Sequence, residues 1–158
     1  MGKIRKYQNR IIGSIWLAII PICLIGLAGC ISPPETATVI QVIDGDTIII
    51  EGDYRVRYIG IDTPEIRPTV EAYGLEAWQA NRELVEGKEV RLERDVSETD
   101  RYGRLLRYVY VDDVFVNAKL VRQGLAEVKF YPPDTKYQGL FEELESLARK
   151  AGLGMWAK

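Results

Sequence analysis

Two short acidic segments, Asp44-Gly45-Asp46-Thr47 and Asp62-Thr63-Pro64-Glu65, flank Arg57 in a chain that contains no histidine. Each has turn chemistry and abuts a run of β-branched residues, so Asp46, Asp62 and Glu65 can meet at strand ends. Carboxylates so placed are the oxygen donors a hard cation such as calcium requires. Two of them, with a backbone carbonyl and water, would hold one ion. A further carboxylate to take a proton from water, with arginines beside it, would complete a site for cutting phosphodiesters. Either segment alone is adequately explained as a turn; it is the pair that points to a site. The missing histidine removes Ser-His-Asp, Cys-His and histidine-ligated zinc chemistry.

The surrounding elements must position these residues. Thr38 to Ile43, Thr47 to Glu51 and Tyr54 to Ile61 alternate as strands, punctuated by Asp44-Gly45 and Gly52-Asp53, and read as antiparallel hairpins. Leu75 to Val85 reads as a helix with Leu75, Trp78 and Val85 on one face, closed by Gly87. Lys88 to Arg94 alternates as a strand. Leu105 to Val111 and Val114 to Val116 read as two more around the Asp112-Asp113 turn. Asn117 is placed to cap a short helix ending at Gly124, and Leu125 to Phe130 is a brief extended run. Gln138 to Ala151 is the clearest helix, with Leu140, Phe141, Leu144, Leu147, Ala148 and Ala151 as its apolar stripe. This order suits a mainly β domain: a five-stranded Greek-key barrel of the OB type with about three helices. A β-sandwich or a generic α+β domain fits the same pattern.

A segment of another kind precedes the domain. Lys3, Arg5, Lys6 and Arg10 form a basic start, Ile11 to Gly29 carries no charge, and the stretch closes on Leu27-Ala28-Gly29-Cys30. These features resemble a bacterial lipoprotein signal, with Cys30 the lipidated first residue of the mature chain. The run is also long enough to be an uncleaved membrane helix. Under either reading the domain is exported and tethered to a membrane. Residues 1–30 are then the signal peptide, 31–36 a spacer containing Pro33-Pro34, and 37–158 the folded domain. Cys23 and Cys30 both fall in the leader, so the domain has no disulfide. The chain has 21 basic and 23 acidic residues; losing the four leader cations moves the net charge from −2 to −6. A net-acidic domain is not the usual footprint of a nucleic-acid binder, so such binding rests on a local basic patch. Arg55, Arg101 and Arg107 are candidates to thicken it.

Four stretches carry a resemblance to a known family. They are Val42-Ile43-Asp44-Gly45-Asp46-Thr47, Arg57-Tyr58-Ile59-Gly60-Ile61-Asp62-Thr63-Pro64-Glu65, Thr99-Asp100-Arg101-Tyr102-Gly103-Arg104, and Asn117-Ala118-Lys119-Leu120-Val121-Arg122-Gln123-Gly124-Leu125-Ala126. In order and near-family spacing they resemble the staphylococcal nuclease (thermonuclease) family, from about Thr38 to Trp156. The resemblance implies an OB barrel with three helices. It also implies calcium-dependent hydrolysis of DNA and RNA, with preference for single-stranded or frayed substrate and 3′-phosphate ends. It assigns calcium to Asp46, Asp62 and the carbonyl of Thr63, with Asp44 an acidic neighbour. Glu65 would orient or deprotonate the attacking water, Arg57 and Arg104 would grip the scissile phosphate, and Tyr102 would contact a phosphate. A guanidinium fork fits two phosphate oxygens and stays charged at any relevant pH, so the residue types suit these roles.

The chain departs from the family pattern in two places. Where the family has two tyrosines separated by one residue, it reads Phe130-Tyr131-Pro132-Pro133; Phe130 and Tyr131 share the expectation of stacking on a base. The loop Ile66-Arg67-Pro68-Thr69-Val70-Glu71-Ala72 is shorter than the family's and carries one basic residue in place of several lysines, which predicts weaker binding and a steeper need for low salt. Competing with the enzyme are a non-catalytic, membrane-tethered OB module that binds nucleic acid and a structural envelope lipoprotein stapled by calcium. Retention of Asp46, Asp62, Glu65, Arg57 and Arg104 together favours the enzyme. The expected state is a monomer.

Overall fold

β-Branched residues alternating with polar ones through the first half of the domain form strands, as their pattern predicts. A computed structural model describes residues 32–157; Cys30 and the leader lie outside the described residues. The strands are β1 (Thr36–Val42), β2 (Thr47–Ile50), β3 (Tyr54–Tyr58), β4 (Ile61–Asp62), β5 (Glu89–Glu93), β6 (Leu105–Val111), β7 (Val114–Phe115) and β8 (Glu127–Val128). The helices are α1 (Gly74–Val85), α2 (Val116–Arg122) and α3 (Gln138–Ala151), followed by a 3-10 turn at Gly154–Trp156.

β1, β2 and β3 form an antiparallel meander, and β1 also pairs with β5, which pairs with β6. The circle closes where β3 runs parallel to β6, with Val56 opposite Leu105 and Arg57 opposite Leu106. The result is a closed five-stranded mixed barrel of the OB type with three helices. Closure leaves those five strands without a free edge. A register shift between Val39 and Gln41 bends β1 as closure requires.

Inward-facing Val39, Ile48, Ile50, Val56, Val90, Leu92, Leu105 and Val109 fill the barrel, and Leu120, Val121 and Phe141 from the helices seal it. Each fully buried side chain of this size contributes about 1.5–3 kcal/mol. Pro33–Lys158 forms one compact unit containing the entire barrel and core, the ordinary criterion of a domain that can fold by itself.

The structure corrects four expectations. The third strand stops at Tyr58 because Gly60, at φ +80°, turns the chain, and only Ile61–Asp62 resumes as β4, antiparallel to β8. Leu75 lies on the outer face of α1; its buried face is Gly74, Ala77, Asn81 and Val85. Asn117 does not cap α2 but sits buried inside its first turn, where its Nδ2 donates to the Ile59 carbonyl at 3.0 Å and its Oδ1 accepts the Val109 amide at 2.9 Å. The stripe on α3 is narrower than predicted: Phe141 and Ala148 are buried, whereas Leu140 and Leu147 are exposed.

Candidate active site

At one rim of the barrel β1 hands over to β2, β3 turns into β4, and α1 packs across the junction. Two glycines let these segments approach. A Cβ on Gly45 would run into the Thr63 side chain, and one on Gly74 would run into the carbonyls of Pro64 and Glu65. The Glu65 segment is pinned further: the Glu71 amide donates to the Glu65 carbonyl at 2.8 Å, and Glu71 Oε2 accepts the Glu65 amide at 2.9 Å.

Asp46 is the hub and is only 4% exposed. Its Oδ2 accepts the Thr63 amide at 2.8 Å and the Thr63 hydroxyl at 3.1 Å, and faces Arg57 Nη1 at 2.6 Å. Its own amide donates to Asp44 Oδ1 at 3.0 Å, closing the acidic turn. Arg57, rooted in β3, reaches Asp62 Oδ1 with Nη2 at 2.5 Å. One guanidinium therefore bridges the two carboxylates predicted to hold a metal.

Burial pushes the Asp46 carboxyl up to about 7; Arg57 pulls against this, while Asp44 and Asp62 add to it. Burial, then Asp44 and Asp62, likewise hold Glu65 above the ordinary glutamate range. Burial comes first in both cases, and the remaining repulsion among the neighbouring acids is what a bound cation would relieve. The donor set fits calcium: all-oxygen, hard and clustered at one rim. Among the described residues no group of three or more acids is arranged as a ready cage, so the ligands would be Asp46, Asp62 and the Thr63 carbonyl, completed by water.

Other predicted residues distribute unevenly. Arg104 precedes the β6 residue that faces Val56, but its Nε and Nη2 both engage Asp100 Oδ2 at 2.7 Å, not the acid cluster. Tyr102 is 68% exposed, with Arg101 and Arg104 over its ring. Tyr131 is 66% exposed, whereas Phe130 packs on Phe141 and fills the space beside Gly60. The exposed aromatic rings are thus Tyr102 and Tyr131. Arg107 does not belong to a basic surface: it is buried, paired with Glu98, and donates to the Glu98 and Leu106 carbonyls.

Two residues of the site escaped the sequence reading. Asn81 is fully buried on α1; its Oδ1 accepts the Tyr58 hydroxyl at 2.8 Å and its Nδ2 donates to the Asp44 carbonyl at 3.1 Å. Its signal was available: Ala77, Asn81 and Val85 recur every four residues, so a polar side chain interrupts a buried stripe. Lys129 extends its Nζ to Asp62 Oδ2 at 2.6 Å, and nothing local in the sequence marks it.

Barrel, rim and buried acid–arginine bridge together define an OB-type domain with a carboxylate cluster at its rim. Its lineage is equally definite. A family model described as "Staphylococcal nuclease homologue" matches residues 55–158. A thermonuclease of Staphylococcus intermedius is 45% identical over 130 residues, covering 78% of this chain and 77% of that protein. A thermonuclease of Staphylococcus hyicus is 43% identical over 129 residues, with 78% and 76% covered. Endonuclease YncB of Bacillus subtilis is 41% identical over 129 residues, with 77% of this chain and 61% of that protein covered. The chain belongs to the staphylococcal nuclease family.

Proposed function

We propose that this chain is a calcium-dependent nuclease that hydrolyses phosphodiester bonds of DNA and RNA, preferring single-stranded or frayed substrate and leaving 3′-phosphate ends. The observation that carries this reading is the Arg57 guanidinium spanning Asp46 and Asp62 beside Glu65, in a chain of this family.

Asp46, Asp62 and the Thr63 carbonyl would hold the ion. When bound, it offsets phosphate charge and polarises the phosphorus. Glu65, whose environment strengthens its hold on a proton, accepts one from the attacking water. Water oxygen bonds to phosphorus, the bond from phosphorus to the 5′ oxygen breaks, and that oxygen takes a proton from solvent water to leave as the 5′ hydroxyl, while Glu65 returns its own proton to solvent. Arg57 and Arg104 donate to the phosphate oxygens, whose negative charge increases in the transition state. Asp100 pre-orients Arg104 by fixing both Nε and Nη2. Open strands suit the exposed rings of Tyr102 and Tyr131, because unpaired bases offer faces to stack on.

Heat-denatured DNA and the unit spanning residues 33–158 provide the test. Cleavage is expected in calcium and absent in chelator, and Glu65→Gln is expected to lower the rate about 10²–10⁴-fold. A folded wild type that binds calcium and strands without cutting them would instead establish the non-catalytic module. Export and anchoring through Cys30 belong to the same proposal; a labelled fatty acid should be incorporated into the wild type and not into Cys30→Ser, and no label in the wild type would favour the uncleaved helix.

A further inference from the structure

Both oxygens of Asp62 are engaged by cations, Oδ1 by Arg57 and Oδ2 by Lys129. The two cations differ in kind. Arg57 lies within the cluster and is held by Asp46 as well. Lys129 reaches in from outside, with its side chain 44% exposed. Its root is fixed, since β8 pairs with β4 (Asp62 opposite Glu127, Ile61 opposite Val128) and the Lys129 amide donates to the Gly60 carbonyl. The ammonium is therefore a mobile charge on a rigid base. An exposed lysine–carboxylate pair is weak and readily exchanged.

The site has few such charges. The loop after Glu65 offers Arg67 alone, Arg104 is tied to Asp100, and Arg107 is buried on Glu98. We propose that Lys129 is an exchangeable counter-ion of this site. In the ion-free protein it occupies Asp62; when Asp62 turns to a divalent cation, the ammonium passes to a phosphate of the bound strand. The proposal rests on the nuclease reading above. A compact charge on a four-carbon stem with three rotatable donors can change partners without moving its backbone. The exposed Tyr131 ring, two residues on, puts a stacking surface beside that phosphate cation.

The test compares Lys129→Met and Lys129→Arg in a Glu65→Gln background of residues 33–158, so that the strand is not consumed. Calcium titrated alone by calorimetry should bind Lys129→Met about two- to fivefold more tightly, because a competing cation has gone. With calcium present, binding of a short oligothymidylate should weaken, and the slope of log K against log salt should become shallower by about 0.7, the value of one single-strand phosphate contact. Lys129→Arg should restore the slope. Unchanged or weaker calcium binding by Lys129→Met overturns the exchange, and so does an unchanged salt slope. Neither readout depends on cleavage, so a failure of the nuclease reading would appear separately, in the wild type's inability to cut DNA.

Discussion

Asn117→Ala should be among the most damaging single changes in the barrel, for a reason legible atom by atom. The Asn117 side chain is fully buried, accepting from the Val109 amide at 2.9 Å and donating to the Ile59 carbonyl at 3.0 Å. Alanine leaves that amide and that carbonyl buried without partners, each costing about 1–3 kcal/mol. The sum, about 2–6 kcal/mol, is a large part of the total stability of roughly 5–15 kcal/mol typical of such a domain. At about 3–5 °C per kcal/mol for a domain of this size, the melting temperature should fall by on the order of 10 °C. Urea unfolding followed by tryptophan fluorescence reads the loss directly, with an unchanged m-value showing that only stability moved. Because Ile59 precedes the turn that launches Asp62, calcium affinity should fall with stability. Asn117→Asp should not rescue, since its carboxylate would face the Ile59 carbonyl. A loss below about 1 kcal/mol at constant m-value would refute the strut, because two stranded buried groups cannot cost so little.

Calcium at a hundredfold excess over its dissociation constant should stabilise the protein by about 2.7 kcal/mol, and chelator should remove the gain; a melting temperature indifferent to calcium would contradict the proposed ligands. Glu98 is held below the ordinary glutamate range by hydrogen bonds from Arg107 and then Arg94. Its contribution to stability is therefore full above the unfolded value near 4.5 and is lost as pH falls through the lower folded value. Glu98→Gln should melt lower than wild type at pH 7, and the gap should close in acid; a gap independent of pH would show that the charge is not what matters. Gly124→Ala should destabilise by more than about 1 kcal/mol, since the residue sits at φ +69° and a Cβ would overlap the Leu153 carbonyl. An unchanged melting temperature would show that the contact between α2's end and the final turn yields easily.

Sequence spoke most clearly where local pattern and packing agree. β6 spans Leu105–Val111 and α3 spans Gln138–Ala151 as the periodicity requires, because each turns an apolar set toward one core. The acids and Arg57 were legible as a group because their turns adjoin strands, and the structure brings Asp46, Asp62 and Arg57 within ion-pair distance. Elsewhere the deciding partner was distant in sequence. Asn117 has the right chemistry for a cap, but the unpaired groups of Ile59 and Val109 claim it. Arg107 alternates like an exterior residue until Glu98 folds over it. Lys129 meets Asp62 only through the short β4–β8 ribbon, and two-residue strands leave little periodic trace. Phe130 and Tyr131, indistinguishable as stackers in sequence, are separated by Gly60, whose missing side chain takes the Phe130 ring.

The parallel seam between β3 and β6 also sets the order of events in the life of the chain. Arg57 pairs across that seam with Leu106, and the side chain that holds the Ile59 carbonyl comes later still, from Asn117. Local hairpins can form early, but a seam between segments so distant in sequence must await the loop that joins them. A ribosome-bound chain that has shown only its first hundred residues therefore carries all four acids and Arg57 without the enclosure that gathers them. Cleaving power would arrive late and at one stroke, once the second half of the chain is free to close the circle.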